Sequence, residues 1–104
     1  MKIRFHFQEI READKKQLEK YLTEKKMSRL TRLLQHGNLA LAKFILNAKY
    51  HERQNIYLVN LGLKISKNDF IAEKEGHTLL EAFDLAFDRL INQLRKLESK
   101  IHDK

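Results

Sequence analysis

From Leu79 onward the chain sets apolar residues three and four apart: Leu79, Phe83, Ala86, Phe87, Leu90, Leu94, Leu97 and Ile101. That spacing is the period of an α-helix, and it gathers these side chains into one stripe. A helix with such a stripe needs an apolar surface to lie on, which the rest of the chain must supply. The start of the helix is marked as well. Thr78 and Glu81, three residues apart, make a capping box in which each side chain satisfies the other residue's free backbone N–H.

The covering surface is predicted to be a sheet. In Met1 to Gln8, Ile3, Phe5 and Phe7 alternate with Lys2, Arg4, His6 and Gln8, the period of a strand with one buried face. From Ala13 to Gln35 the pattern turns helical, with Leu18, Tyr21 and Leu22, then Met27, Leu30, Leu33 and Leu34. The second group is rotated by about one residue step from the first, so a bulge or kink is expected between Leu22 and Met27. Gly37 suits the left-handed residue that closes a helix. Leu39 to Tyr50 is apolar on both sides at its start, as an inner strand should be. His51 to Asn55 reads as a hairpin loop, Ile56 to Ser66 as a third strand with a bulge at Gly62, and Lys67, Asn68 and Asp69 as a tight turn before a short strand, Phe70 to Glu75.

The expected fold is therefore α+β, in the order β-α-β-β-β-α. A helix separates the first two strands, which should run parallel, whereas short loops make the second, third and fourth an antiparallel meander. Both helices then cover one face of a four-stranded mixed sheet. At 104 residues the chain reads as a single domain, residues 1–104, burying roughly two-thirds of the surface its unfolded form exposes.

Several chemistries find no support. With no cysteine there is no disulfide framework, thiolate zinc site or cysteine nucleophile, which suits a reducing cytoplasm. The opening MKIRFHFQEIREADKK lacks a continuous apolar run, and no apolar run reaches the length that crosses a bilayer, so a soluble, unexported protein is expected. His6, His36, His51, His77 and His102 lack metal-ligand spacing and read as surface or loop residues. Without a Gly-rich phosphate loop, nucleophile elbow or acidic cluster, no catalytic residue, metal or cofactor is expected. Asp84 and Asp88 read as acids complementing the dipole in the first half of a helix.

The charge is more informative. Lys and Arg number 21 against 14 Asp and Glu, a formal net charge of +7, which favours polyanionic partners. In the first helix Lys16, Lys20, Lys25, Arg29 and Arg32 fall away from the predicted core, and in the last Arg89, Gln93, Lys96 and Lys100 form a ridge beside the apolar stripe. Two such ridges on one face of a sheet would make a broad cationic surface for phosphates. Phe5, Phe7, Phe83 and Phe87 are claimed by the core, leaving only Tyr50 and Tyr57 for stacking, so a structured RNA read by shape and phosphate contacts is favoured over a single strand.

Ala82, Asp84, Leu85, Asp88, Arg89, Leu90, Gln93, Leu94, Arg95 and Lys96 fit the pattern A-x-D-L-x-x-D-(K/R)-L-x-x-Q-L-R-K, with Ala72, Glu73 and Gly76 upstream. Lys26, Met27, Arg29, Leu30, Arg32, Leu33 and Leu34 fit a K-L-x-(K/R)-L-x-K-aromatic-aromatic pattern, with leucines replacing the aromatic pair. Both patterns are those of the ribosome hibernation-promoting factors, also called ribosome-associated inhibitor or sigma-modulation proteins, and the chain resembles the short form of that family. The resemblance implies a fold similar to a double-stranded-RNA-binding domain. It also implies a cytoplasmic, monomeric translation inhibitor that binds the small ribosomal subunit and its ribosomal RNA at the messenger and transfer RNA sites. Such a protein silences or dimerises ribosomes in resting, stressed or stationary-phase cells, with no DNA or membrane partner. The RNA-binding residues expected from the basic ridges are Lys20, Lys25, Lys26, Arg29, Arg32, Arg89, Gln93, Lys96 and Lys100. The alternative is a protein-interaction module whose basic helices bind an acidic regulatory partner.

Overall fold

The computed structural model describes residues 1–34, 41–65 and 68–102, with side chains as far as Leu97. Its elements are β1 (Lys2–Gln8), α1 (Glu12–Tyr21), a π-helical turn (Leu22–Lys26), α2 (Met27–Leu33), β2 (Lys43–His51), β3 (Ile56–Ile65), β4 (Asn68–Gly76) and α3 (Leu79–His102). Because α1, the π turn and α2 run on without a break, they act as one helical rod, and the order is the expected β-α-β-β-β-α. The strands lie in the order β1-β2-β3-β4. β1 is parallel to β2, with Phe5 opposite Leu46, and the other two pairings are antiparallel.

Alternation decides which face is covered. Phe44, Leu46 and Ala48 of β2, Val59, Leu61 and Leu63 of β3, and Ala72 of β4 all point to one side and are buried. Leu18, Leu22 and Leu30 of the rod and Phe83, Phe87 and Leu90 of α3 complete a single apolar cluster with them. Phe5 and Phe7 of β1 stack with ring centroids 5.9 Å apart at the cluster's edge. Tyr50 and Tyr57 also pack together beside it, 4.8 Å apart.

The rotation between the two apolar groups of the rod is absorbed where expected. The backbone N–H of Met27 bonds to the carbonyl of Leu22, five residues back, which is the π-helical pattern. One residue is thereby taken up within a single wide turn, and Leu22 and Leu30 both remain fully buried. At the start of α3 the Thr78 hydroxyl accepts from the Glu81 N–H at 3.1 Å, while the reciprocal half of the capping box is not formed among the described residues.

Several boundaries differ from expectation. Leu41 is 70% exposed and precedes β2, which begins at Lys43 rather than Leu39. Asn68 and Asp69 belong to β4 as partners of Ile65 and Lys64, because the hairpin ladder extends further than the polar residues suggested. Among the described residues the left-handed ones are Asn55, φ 53°, in the β2–β3 hairpin and Glu9, φ 57°, after β1. Gly62 is in register with Ile45 and Ile71 and makes no bulge. Gln35, Gly37 and Leu39, and Lys67 of the expected turn, lie outside the described residues.

Candidate nucleic-acid interface

The rod and α3 meet along a seam built from charged and aromatic side chains. Lys26 Nζ lies 3.5 Å from Asp84 Oδ1, and Arg29 Nη1 lies 3.6 Å from Asp88 Oδ1. The Tyr21 hydroxyl donates to Asp84 Oδ1 at 2.8 Å. Lys26 is the most enclosed of these, with its side chain 18% exposed and its ammonium 5.4 Å above the Tyr21 ring and 5.8 Å above Phe87. Burial, and then the bond to Asp84, push the Tyr21 phenol above its ordinary range, so it stays a hydrogen-bond donor. These half-exposed pairs stabilise the helix contact by roughly 1 kcal/mol each at most. They explain Asp84 and Asp88 better than the helix dipole does, since both carboxylates face named cations.

Two of the expected cationic residues, Lys26 and Arg29, are thus neutralised in the seam. Of the others, Lys20, Lys25 and Arg32 are exposed on the rod. Lys16 and Lys20 share a shallow depression with Glu19 and Glu24, which dilutes their field. The cationic weight of the rod therefore shifts to Lys25 and Arg32, on either side of Arg29.

On α3 the expected ridge turns away from the rod. Gln93 Nε2 donates to the backbone carbonyl of Ile71 in the edge strand β4 at 3.0 Å. Arg89, about 40° from Gln93 around the helix, and Lys96, about 60° from it, share that flank and are exposed. Asp84 and Asp88 occupy the opposite flank, about 180° and 140° around the helix from Gln93. The two ridges therefore do not merge into one surface; the width of α3 separates them, about 10 Å. Lys100 lies on the helix where side chains are not described.

One residue of the seam escaped the sequence reading as a site residue. Arg95 stands seven residues after Asp88 and eleven after Asp84, two and three turns along the same flank, and is exposed. Lys26 meets Asp84 and Arg29 meets Asp88, so both helices advance along the seam in the same direction. Arg32 and Arg95 follow at its far end, without described carboxylate partners. The seven-residue spacing from Asp88 was the available signal; what hid it was ignorance of which flank faced the rod.

No cluster of three or more metal-ligating side chains occurs among the described residues. Among the described residues no helix is long and apolar enough to cross a membrane.

The model of the sigma 54 modulation protein / S30EA ribosomal protein family matches residues 3–102. The chain belongs to that family. Membership makes it a ribosome-associated protein, as the motif in α3 implied. No curated protein matches it in sequence. Among solved structures, a ribosomal subunit interface protein from Coxiella burnetii superposes with a TM-score of 0.67 at 18% identity, covering 95% of this chain and 99% of that one. The N-terminal domain of Thermus thermophilus Protein Y gives 0.67 at 23% identity, covering 93% and 99%. At those identities the likeness is one of fold, and it extends over the sheet, the rod and α3 alike.

Proposed function

We propose that this family member is a translation inhibitor. As a cytoplasmic monomer it binds the small ribosomal subunit at the messenger and transfer RNA sites, silencing or pairing ribosomes in resting cells. The family match across residues 3–102 carries the reading. The exposed bases supply its physics: Lys25, Arg32 and Arg95 bordering the seam, with Arg89 and Lys96 on the far flank of α3, are placed to neutralise phosphates and release counterions. Lys26 and Arg29 contribute through the seam, where an RNA phosphate would compete with Asp84 and Asp88 for them. Gln93, whose amide is held by Ile71, positions the Arg89 and Lys96 flank against the sheet edge.

Sedimentation through sucrose gradients tests this. The protein should travel with small subunits at low salt and leave them as salt rises; absence from those fractions at low salt refutes the reading. Charge reversal at Lys25 and Arg32, both exposed and outside the seam's ion pairs, should weaken binding without unfolding the protein. A partner that stays bound after RNA digestion would point instead to an acidic protein.

A further inference from the structure

The face of the sheet opposite the helices is uncovered, and its register sorts the side chains into rows. Lys2, Lys43 and Lys64 are direct cross-strand partners, and Asp69 ends their row on β4. Adjacent strands are about 4.8 Å apart, so three ammonium-bearing side chains leave the sheet within roughly 10 Å. Like charges placed opposite one another destabilise a sheet. Asp69 offsets this only at the Lys64 end of the row: all three lysines are exposed, and the four ion pairs among the described residues include none of them. A row of three cations faced by one carboxylate at its end, with no ion pair closed, is suited to an external anion.

The neighbouring rows narrow the kind of anion. Arg4, Ile45, Gly62 and Ile71 come next. A Cβ built on Gly62 would touch nothing within 4 Å, so the surface is open there between Ile45 and the exposed Ile71. Beyond it His6, Gln8, Asn47, Lys49, Leu58 and Asn60 line a shallow groove rich in hydrogen-bonding groups. On this face positive charge is confined to β1, β2 and β3, while Asp69, Glu73 and Glu75 occupy β4, whose Lys74 alternates to the other side. A polyanion is therefore drawn along the first three strands and repelled from the fourth. By strand alternation no described Phe or Tyr stands in these rows, which leaves the imidazoles of His6 and His51 as the rings on this face that could stack on unpaired bases. Phosphates and 2′-hydroxyls of a duplex match it better.

We propose that the open sheet face is a second RNA-binding surface, taking the phosphate backbone of duplex RNA on Lys2, Lys43, Lys64 and Arg4, so that the domain lies between two RNA segments. The choice of RNA among polyanions rests on the ribosome association.

The test uses a duplex RNA of about 16 base pairs, the span of a duplex-RNA-binding domain, and a salt series. The helix side is first neutralised with Lys25→Gln, Arg32→Gln, Arg89→Gln, Arg95→Gln and Lys96→Gln. This protein should still bind the duplex through its sheet. Adding Lys2→Gln, Lys43→Gln and Lys64→Gln should flatten the dependence of log K on log salt by about 2 to 3, three phosphate contacts' worth. The three sheet substitutions alone should leave the thermal midpoint equal or higher, because they remove a like-charge row. An unchanged salt slope, or a helix-neutralised protein that binds no duplex at low salt, overturns the proposal. So does concentration-dependent dimerisation abolished equally by the lysine variants and by Glu73→Gln with Glu75→Gln, which would make the occupant a second copy. If the sheet lysines control duplex binding while the wild-type protein ignores small subunits, the sheet surface stands and only the ribosomal reading falls.

Discussion

Deleting Thr23 should leave the protein as stable as before or slightly more so, and inserting an alanine at the same place should come close to unfolding it. Leu22 and Leu30 are eight residues apart and both fully buried. In a straight α-helix eight steps of about 100° would leave Leu30 about 80° away from the direction of Leu22, off the core. The π turn absorbs one residue, leaving an effective seven steps, about 20° short of two turns. Removing the exposed Thr23 therefore yields an ordinary α-helix of the same phase, with Leu30, Lys26 and Arg29 still meeting their partners. The regained regular hydrogen bonding contributes about 1 kcal/mol. An inserted alanine adds another 100° and swings Leu30 and Leu34 outward. Burial of each is worth about 1.5–3 kcal/mol, so the loss is about 3–6 kcal/mol out of a total stability of about 5–15 kcal/mol. Urea unfolding followed by far-UV circular dichroism, with the slope compared across the three proteins, measures both changes. A deletion that costs more than about 3 kcal/mol, or an insertion that costs less than about 1 kcal/mol, would refute the idea that the wide turn exists to keep the two leucine groups in phase.

Other perturbations follow from single contacts. Gly76→Ala would place a Cβ 2.7 Å from the Ala82 backbone nitrogen, so it should destabilise by about 1–3 kcal/mol and lower the thermal midpoint. Thr78→Ala removes the one formed cap of α3 and should cost about 1 kcal/mol in urea unfolding, whereas Thr78→Asp should restore it. The raised pKa of Tyr21 means that the folded protein holds that proton more tightly than the unfolded chain. Its stabilising effect is fully present below the ordinary value of 10.0 and is lost as pH rises through the folded pKa above it. Tyr21→Phe should therefore be less stable near neutral pH, through loss of the Asp84 bond, and show a shallower decline in stability above pH 10.

What the chain spells out locally was readable from it. The alternation in β1 and β3, the stripe of α3, the Thr78 start and even the π turn are relations among residues a few positions apart, and periodicity exposes them directly. Boundaries at polar residues were harder. Asn68 and Asp69 looked like a turn because their types favour one, yet pairing with Ile65 and Lys64 holds them in the ladder. Asn55, in a loop read only as polar, is the residue that takes the left-handed conformation.

The charged residues divide differently. Their number, and their exclusion from the apolar stripes, belong to the sequence alone, and so does the motif that marks the family. Which of them are free to meet another molecule is a property of the packed structure. Lys26 and Arg29 are matched by carboxylates 58 and 59 positions further along the chain, and Gln93 bonds to a carbonyl 22 positions before it. Lys2, Lys43 and Lys64 become neighbours only when three strands align. A helix's apolar side is set by its own repeat, but its polar flanks acquire neighbours from elements distant in sequence. The core was therefore legible before folding, while the division of charge between internal pairing and outward display was decided by tertiary contact.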